Sequence, residues 1–466
     1  MEEQCGFMPK RGTADGSFVA RMALKKRREH NKGTWCVFVD LVKAFDSVPR
    51  AGMMKILQRF GIPPHLCRLI LTLHKENKLR MDVGGEDHII LNTTGVKQGD
   101  VMAPILFLFV IQACLEALET VWPASKLEFR SRRKGGKVHG VKWRNAGELM
   151  KFWASLYADD GAFFFETRAD MIAGTQAMGS MMRRFGLEMH TGVGFCTNAC
   201  PDKCREHKKS KTEALYVPPA DQSYHDADTS PFEADGGYIT FCKEFKYLGS
   251  LITWDLNDSV DVRKRIDKAS SAFGALRTCI FGNKAISLAA KWTTYMVLVV
   301  PILLYGSDAW TLRVSDIYEL RLFHRRCVRA MHGVKIRLRR STRALLQAFG
   351  PRGCSMDHLV ESRFMRWIGH VSRMDHDRLP RQLLFSWVRQ PRRAGGQYMT
   401  IGRRIARNLK ILPQETKAQL GGPEWDNGMD RGWVALAEDR PAWRTSVVEA
   451  AIGPFHGQMP GYAQKK

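Results

Sequence analysis

F-W-A-S-L-Y-A-D-D-G-A-F-F-F (residues 152–165) decides how this chain is read. Two apolar runs, 152–156 and 162–165, flank Tyr157-Ala158-Asp159-Asp160, a pattern that predicts strand, tight turn, strand. Asp160-Gly161 is the sort of pair that favours the hairpin turn. Adjacent carboxylates at such a tip repel each other, and each is costly to desolvate unless something cationic neutralises it. A divalent metal would do so; the plain alternative is a solvated turn that happens to be acidic.

Upstream, W-C-V-F-V (35–39) is a continuous run of β-formers and predicts a strand buried on both faces. It ends in Asp40. A carboxylate there is fixed by the strand and exposed by the loop, although an Asp before a helix also serves as an N-cap. Asp46 fits the cap role better, because Val48-Pro49-Arg50 and an amphipathic stretch to Phe60 follow it. If the strands of Asp40 and Asp159 are neighbours, three carboxylates converge. Carboxylate-based sites suit Mg²⁺ or Mn²⁺, and two such ions about 4 Å apart hold both the attacking and the leaving oxygen of a phosphoryl transfer.

These two segments stand in an ordered set. F-V-D-L-V-K-A-F-D-S-V (38–48), G-V-K-Q-G-D-V-M-A-P-I-L-F (95–107), Y-A-D-D (157–160), K-S-K-T-E-A-L (209–215) and F-K-Y-L-G-S-L-I (245–252) follow one another at domain-scale spacing. They resemble motifs A to E of the reverse transcriptase of non-LTR (LINE-type) retrotransposons. Q-C-G-F-M-P-K-R-G-T-A-D (4–15) is similar to the end of that family's fingers region, and L-L-Y-G-S-D-A-W (303–310), R-F-M-R-W-I-G-H-V-S-R-M (363–374) and L-A-E-D-R-P-A-W-R (436–444) resemble its C-terminal segment more weakly.

The resemblance implies an RNA-directed DNA polymerase that adds dNTP to a DNA primer on an RNA template. Asp40 and Asp159 would be the principal ligands of Mg²⁺ or Mn²⁺, with Asp160 a weaker or outer one. Phe45 would lie under the sugar of the incoming nucleotide and clash with a 2′-hydroxyl; from the residues alone it is a core aromatic. Gln98 would hydrogen-bond nucleotide or template, and Gly99 would let backbone approach it closely; the pair also reads as an ordinary loop before a buried helix. Lys211 would protonate the leaving pyrophosphate or offset its charge, or is one solvated lysine among many. Tyr247, Leu248 and Gly249 would form the turn that supports the primer end. The family's upstream basic hairpin would be missing, which leaves Lys10 and Arg11 as candidates to meet the triphosphate; Met8 stands where the family commonly has Arg. No endonuclease domain is recognisable either, so a fragment or degenerate copy is expected. The alternatives are a catalytically inactive nucleic-acid-binding remnant of a retroelement and a two-metal nuclease.

Composition agrees with a polyanionic partner: the 466 residues carry a formal charge of +25. Residues 321–345 contain nine Arg or Lys (Arg321, Arg325, Arg326, Arg329, Lys335, Arg337, Arg339, Arg340, Arg343) and no Asp or Glu, which suits phosphate contacts. The 11 scattered cysteines and the lack of a secretory signal point to a reduced intracellular compartment, nucleus or cytoplasm. The apolar runs 101–115 and 295–305 are short of a membrane span and contain Pro104 and Pro301, so no membrane segment is expected.

The expected fold is α+β: a right-hand polymerase palm, its antiparallel sheet packed on helices, with partial fingers, then a helical thumb and a basic C-terminal region. Boundaries fall at 1–30 (fingers remnant), 31–255 (palm), 256–350 (thumb and connector) and 351–466. Helical spacing predicts helices over 171–188, 260–277, 285–298, 314–331 and 341–348, with the methionines of 171–188 in the core. Residues 217–237 read as a loop, and those after Arg389, with Trp425, Trp433 and Trp443, as a loosely folded nucleic-acid-binding tail. Cys196, Cys200, Cys204 and His207 offer a tetrahedral zinc site whose spacing matches no common finger; a loop of free thiols is the better reading.

Overall fold

The structure, a computed structural model, describes residues 2–75, 77–97, 99–131, 147–193, 209–334, 338, 340–390, 400–410, 412 and 431–449. It is a mixed α+β architecture. From the N-terminus run α1 (Thr13–Glu29), β1 (Thr34–Val39), α2 (Ala44–Ser47), α3 (Arg50–Arg59), α4 (Pro64–His74), β2 (Asn77–Val83), β3 (Glu86–Asn92) and α5 (Ala103–Thr120). Then come β4 (Leu127–Ser131), β5 (Glu148–Phe152), β6 (Ala154–Tyr157), β7 (Asp160–Phe165), α6 (Arg168–Arg184), β8 (Glu213–Val217), β9 (Phe232–Ala234), β10 (Gly237–Phe241), β11 (Glu244–Tyr247) and β12 (Ser250–Thr253). The remainder is largely helical: α7 (Ser259–Ala275), α8 (Leu288–Thr294), α9 (Val300–Leu303), α10 (Val314–Met331), α11 (Thr342–Gln347), α12 (Met356–Ser372), α13 (Leu379–Leu384), β13 (Ser386–Trp387) and α14 (Ile401–Lys410), then α15 (Arg431–Glu438) and α16 (Arg440–Trp443).

Two compact units share this chain. The first comprises residues 1–16, 31–128 and 151–248. Its centre is a six-stranded sheet in the order β6-β7-β1-β8-β10-β9. Every residue of β1 is buried, as a continuous run of β-formers requires of a central strand. β1 is antiparallel to both neighbours, Phe38 facing Ala162 on one side and Glu213 on the other; β8 and β10 run parallel. α6 packs its methionines Met171, Met178, Met181 and Met182 on this sheet, as its spacing predicts. Gly174 permits the approach: a Cβ there would stand 2.4 Å from the Phe165 ring. Thr167 caps the helix, accepting from the Asp170 amide at 3.0 Å.

Some local expectations change. Asp46 lies within the short α2 and does not cap the next helix; α3 has Pro49 at its N-cap and no side-chain cap bond. Residues 217–237 hold β9 and the start of β10, joined through Asp235-Gly236, both at positive φ. α5 is long and apolar enough to cross a membrane. Pro104 does not break it, because it sits in the first turn, where no N–H is needed. Phe107, Cys114, Leu115 and Leu118 of this helix are fully buried in protein.

The second unit comprises residues 17–30, 129–150 and 249–466. A buried ionic network organises it. Arg21 of α1 donates to Asp258, Asp261, Ser250 Oγ and the Leu251 carbonyl, and Lys25 Nζ donates to Asp258 (2.7 Å), the Ala309 carbonyl (2.9 Å) and Thr311 Oγ1 (3.1 Å). The helix expected over 285–298 runs on to Leu303 through a wide turn at Tyr295–Val299, which accommodates the amide that Pro301 lacks. α10 has the expected bounds. The expected loose tail is corrected: Trp433 and Trp443 are buried against each other, and Trp443 Nε1 donates to the Met365 carbonyl at 2.9 Å. An indole buried with its N–H satisfied is a core group. Trp425, Cys196, Cys200, Cys204 and His207 lie outside the described residues.

Candidate active site

The register of the sheet builds the site. Val39 faces Gly161 across the β1–β7 ladder, so the next residues outward, Asp40 and Asp160, stand side by side at one end of the sheet. Asp160 is itself in a ladder, paired with Tyr157 of β6. The chain therefore turns at Ala158-Asp159, two residues before the Asp160-Gly161 pair that the sequence suggested. Ala158 takes φ 58°, while Asp159 and Asp160 do not have positive φ. The turn holds Asp159 at its tip and Asp160 on a strand.

The three carboxylates share one electrostatic environment. Burial first, and then the charge of Asp40, raises the Asp159 carboxyl above the usual carboxylate range. Burial, Asp159 and Asp40 together push Asp160 up to about 6. Lys211 Nζ is 4.0 Å from Asp40 and 68% exposed, too open to neutralise the group. Among the described residues no three His, Cys, Asp or Glu side chains are already closed into a metal cage. The donor set still fits a hard divalent cation: carboxylate oxygens, mutually repelling, at the solvent end of rigid strands.

Backbone contacts tie Lys211 to this end of the sheet. Thr212 Oγ1 accepts from the Asp40 amide at 3.1 Å, and the His190 amide donates to the Asp40 carbonyl at 2.8 Å. The Thr212 amide donates to the His190 carbonyl, and the Lys211 amide to His190 Nδ1 at 3.2 Å. Phe45, half-buried on α2, stacks on Phe107 of α5 with ring centroids 4.6 Å apart, and its carbonyl accepts from the Val96 amide. The segments of residues 38–48 and 95–107 are thereby joined. Gly95 closes that junction: at φ 74°, its Cβ would meet the Asp46 carbonyl oxygen at 2.5 Å. Gly99 has φ 86° and open space where a side chain would be. Gln98 lies outside the described residues.

The other predicted residues have distinct surroundings. Tyr247 is a buried anchor: its hydroxyl donates to the Ser155 carbonyl at 2.7 Å and its ring lies 5.6 Å from Phe38. Burial raises its phenol above the ordinary value. Leu248 and Gly249 both have positive φ, the backbone of a tight turn. Arg11 is engaged by the Glu2 carboxylate and by the Glu2 and Gln4 carbonyls, whereas Lys10 is exposed.

Residues 1–250 match the family described as "Reverse transcriptase (RNA-dependent DNA polymerase)". The chain belongs to the reverse transcriptase family. Among its relatives, the Retrovirus-related Pol polyprotein from type-1 retrotransposable element R2 of Nasonia vitripennis is 27% identical over 254 residues, covering 53% of this chain and 21% of the relative. The corresponding polyprotein from type-2 retrotransposable element R2DM of Drosophila melanogaster is 28% identical, over 35% of this chain and 14% of its own length. A telomerase structure from Candida albicans with a fragment of telomeric RNA overlays at a TM-score of 0.30 and 10% identity, over 72% of this chain and 49% of that one. The reverse transcriptase chain thus spans about a fifth of the length of the first of these polyproteins.

The residues that join the reverse transcriptase motifs carry no signal within any single motif. His190 and Thr212 hold the Lys211 segment to Asp40, and Gln4 contacts the turn that carries Asp159. Gln4 opens the segment 4–15, but nothing local marks its partner, which is 154 residues away.

Proposed function

We propose that this chain is the catalytic part of a non-LTR retroelement polymerase: it transfers dNTP to a primer 3′-hydroxyl on an RNA template, from a right-hand palm formed by the six-stranded sheet. The observation that carries this reading is the convergence of Asp40, Asp159 and Asp160 at one end of β1, β6 and β7. These carboxylates would hold Mg²⁺ or Mn²⁺, which when bound supply activation of the attacking hydroxyl and neutralisation of the phosphate charge. Asp40 and Asp159 present the main ligand oxygens and Asp160 supports them. Lys211, exposed and held beside Asp40, donates a proton or positive charge to the leaving pyrophosphate. Phe45, braced by Phe107, offers a ring under the sugar, and Gly99 leaves its backbone open to the nucleotide. The Leu248-Gly249 turn, secured by Tyr247, supports the primer end.

One observation favours a second reading, a catalytically silent nucleic-acid-binding remnant: Arg11 is taken up by Glu2, leaving Lys10 as the exposed cation of the pair. Primer extension on an RNA template with dNTP and Mg²⁺ separates the two. The polymerase reading expects extension by the wild type and a loss of at least about 100-fold in Asp159→Asn. Wild-type activity no higher than that of Asp159→Asn, with RNA binding intact, would leave the remnant.

A further inference from the structure

Ala158 occupies a backbone region that costs an L-residue roughly 1–2 kcal/mol and that glycine usually fills. Something must impose it. Gln4, 4% exposed, is the group in place. Its Oε1 accepts from the Ala158 amide at 2.9 Å and from the Gly6 amide at 2.7 Å, and its Nε2 donates to the Ala158 carbonyl at 3.3 Å. A single primary amide thus satisfies both backbone groups of the strained residue, as a neighbouring strand would.

The segment bearing Gln4 is fixed to the same strand. The Cys5 amide donates to the Leu156 carbonyl and the Leu156 amide to the Glu3 carbonyl, both at 2.8 Å. Trp153 Nε1 donates to Glu3 Oε1 at 3.3 Å. These contacts cover the outer edge of β6, the sheet's terminal strand. Gly6 allows the close fit: a Cβ there would stand 2.3 Å from the Ala158 nitrogen.

We infer that Gln4 is a positioning residue for polymerisation: its side-chain amide holds Ala158 in the conformation that places Asp159 and Asp160 beside Asp40. The catalytic consequence rests on the polymerase reading, whereas the hold on Ala158 does not. A carboxylate moved by about 1 Å can cost on the order of 100-fold in rate while leaving binding nearly unchanged.

The test uses the full chain and two variants. Gln4→Met keeps the side-chain volume and removes all three hydrogen bonds. Gln4→Glu keeps both accepted bonds and loses the donated one. Amide hydrogen exchange in a peptide spanning 157–160 is expected to accelerate at least about tenfold in Gln4→Met, and less in Gln4→Glu, with β1 and β8 as protected as in the wild type. In primer extension, kcat of Gln4→Met is expected to fall about 100-fold with KM for dNTP within about threefold. Unchanged exchange at 157–160 in Gln4→Met overturns the inference, and wild-type kcat beside accelerated exchange overturns its catalytic half. If Gln4→Met loses protection everywhere, Gln4→Glu decides: acceleration confined to 157–160 supports the hold, and uniform or absent acceleration overturns it. A wild-type chain that extends no primer defeats the polymerase reading, while the exchange result still decides whether Gln4 holds the turn.

Discussion

Asp160, the first residue of β7 and open to solvent, stands beside Asp40, which follows the end of β1. Burial, Asp159 and Asp40 push it up to about 6. The folded chain therefore holds this proton more tightly than the unfolded chain does near pH 4, so stability falls as pH rises from about 4 to about 6. Solvent screening limits the effect to about 1 kcal/mol or less. Asp160→Asn removes it. In EDTA, the urea midpoint of the wild type should decline against that of Asp160→Asn between about pH 4.5 and about pH 7.5; parallel profiles would show that burial and the neighbouring carboxylates do not raise this group. At this scale the carboxylates themselves were legible, because two adjacent acids between apolar runs have few folding reasons to exist. The turn was not. Asp-Gly is a hairpin signal, and it works as one at Asp235-Gly236, where both residues take positive φ. At Asp160-Gly161 a distant side chain, Gln4, overrides it by holding Ala158.

The N-terminus of α7 is an element whose position depends on one buried acid. Asp258 precedes the helix and receives Lys25, Arg21 and the Thr311 amide. Burial by itself would raise this carboxyl; Lys25 and Arg21 outweigh burial and hold it at about 2. Its contribution is present above the unfolded value near 4 and is lost as pH falls from about 4 to about 2. Asp258→Asn takes from buried Lys25 the carboxylate it is bonded to and leaves Arg21 with Asp261 alone, at a cost of about 3–5 kcal/mol. Denaturant midpoints followed by circular dichroism should show that loss at neutral pH and a flatter acid limb in the variant; a neutral substitution would mean that Ser250 and the surrounding carbonyls suffice. Periodicity alone located α10 and came near α6 and α7, since each buries one face. It could not find this network, whose members are more than 200 residues apart. Nor could it place Trp433 and Trp443 in a core, because the cover over them, α12, comes from a segment some 70 residues earlier in the chain.

Charge is a property of the whole chain, and +25 over 466 residues sets up a field that favours a polyanion wherever it docks. The structure divides the basic run of α10 and its sequel into two kinds of cation. Arg321 is held by the Asp357 carboxylate from α12, a partner 36 residues away that a reading of 321–345 alone did not supply. Arg329 donates to the Leu338 and Arg340 carbonyls. Arg325, Arg326, Arg340 and Arg343 are exposed, while Lys335, Arg337 and Arg339 lie outside the described residues. Each phosphate neutralised on a single strand contributes about 0.7 to the slope of log affinity against log salt. If the exposed arginines meet RNA, replacing Arg325 and Arg326 by Ala should lower that slope by about 1.4 and weaken binding to all sequences alike. Arg321→Ala should instead leave the slope unchanged and lower stability, because its charge is committed to Asp357. Fluorescence anisotropy of a labelled RNA across a salt series measures both. A slope that falls with Arg321→Ala but not with the double variant would assign the phosphate contact to Arg321 and overturn its commitment to Asp357, since charge within reach of a phosphate cannot be removed without releasing fewer counterions.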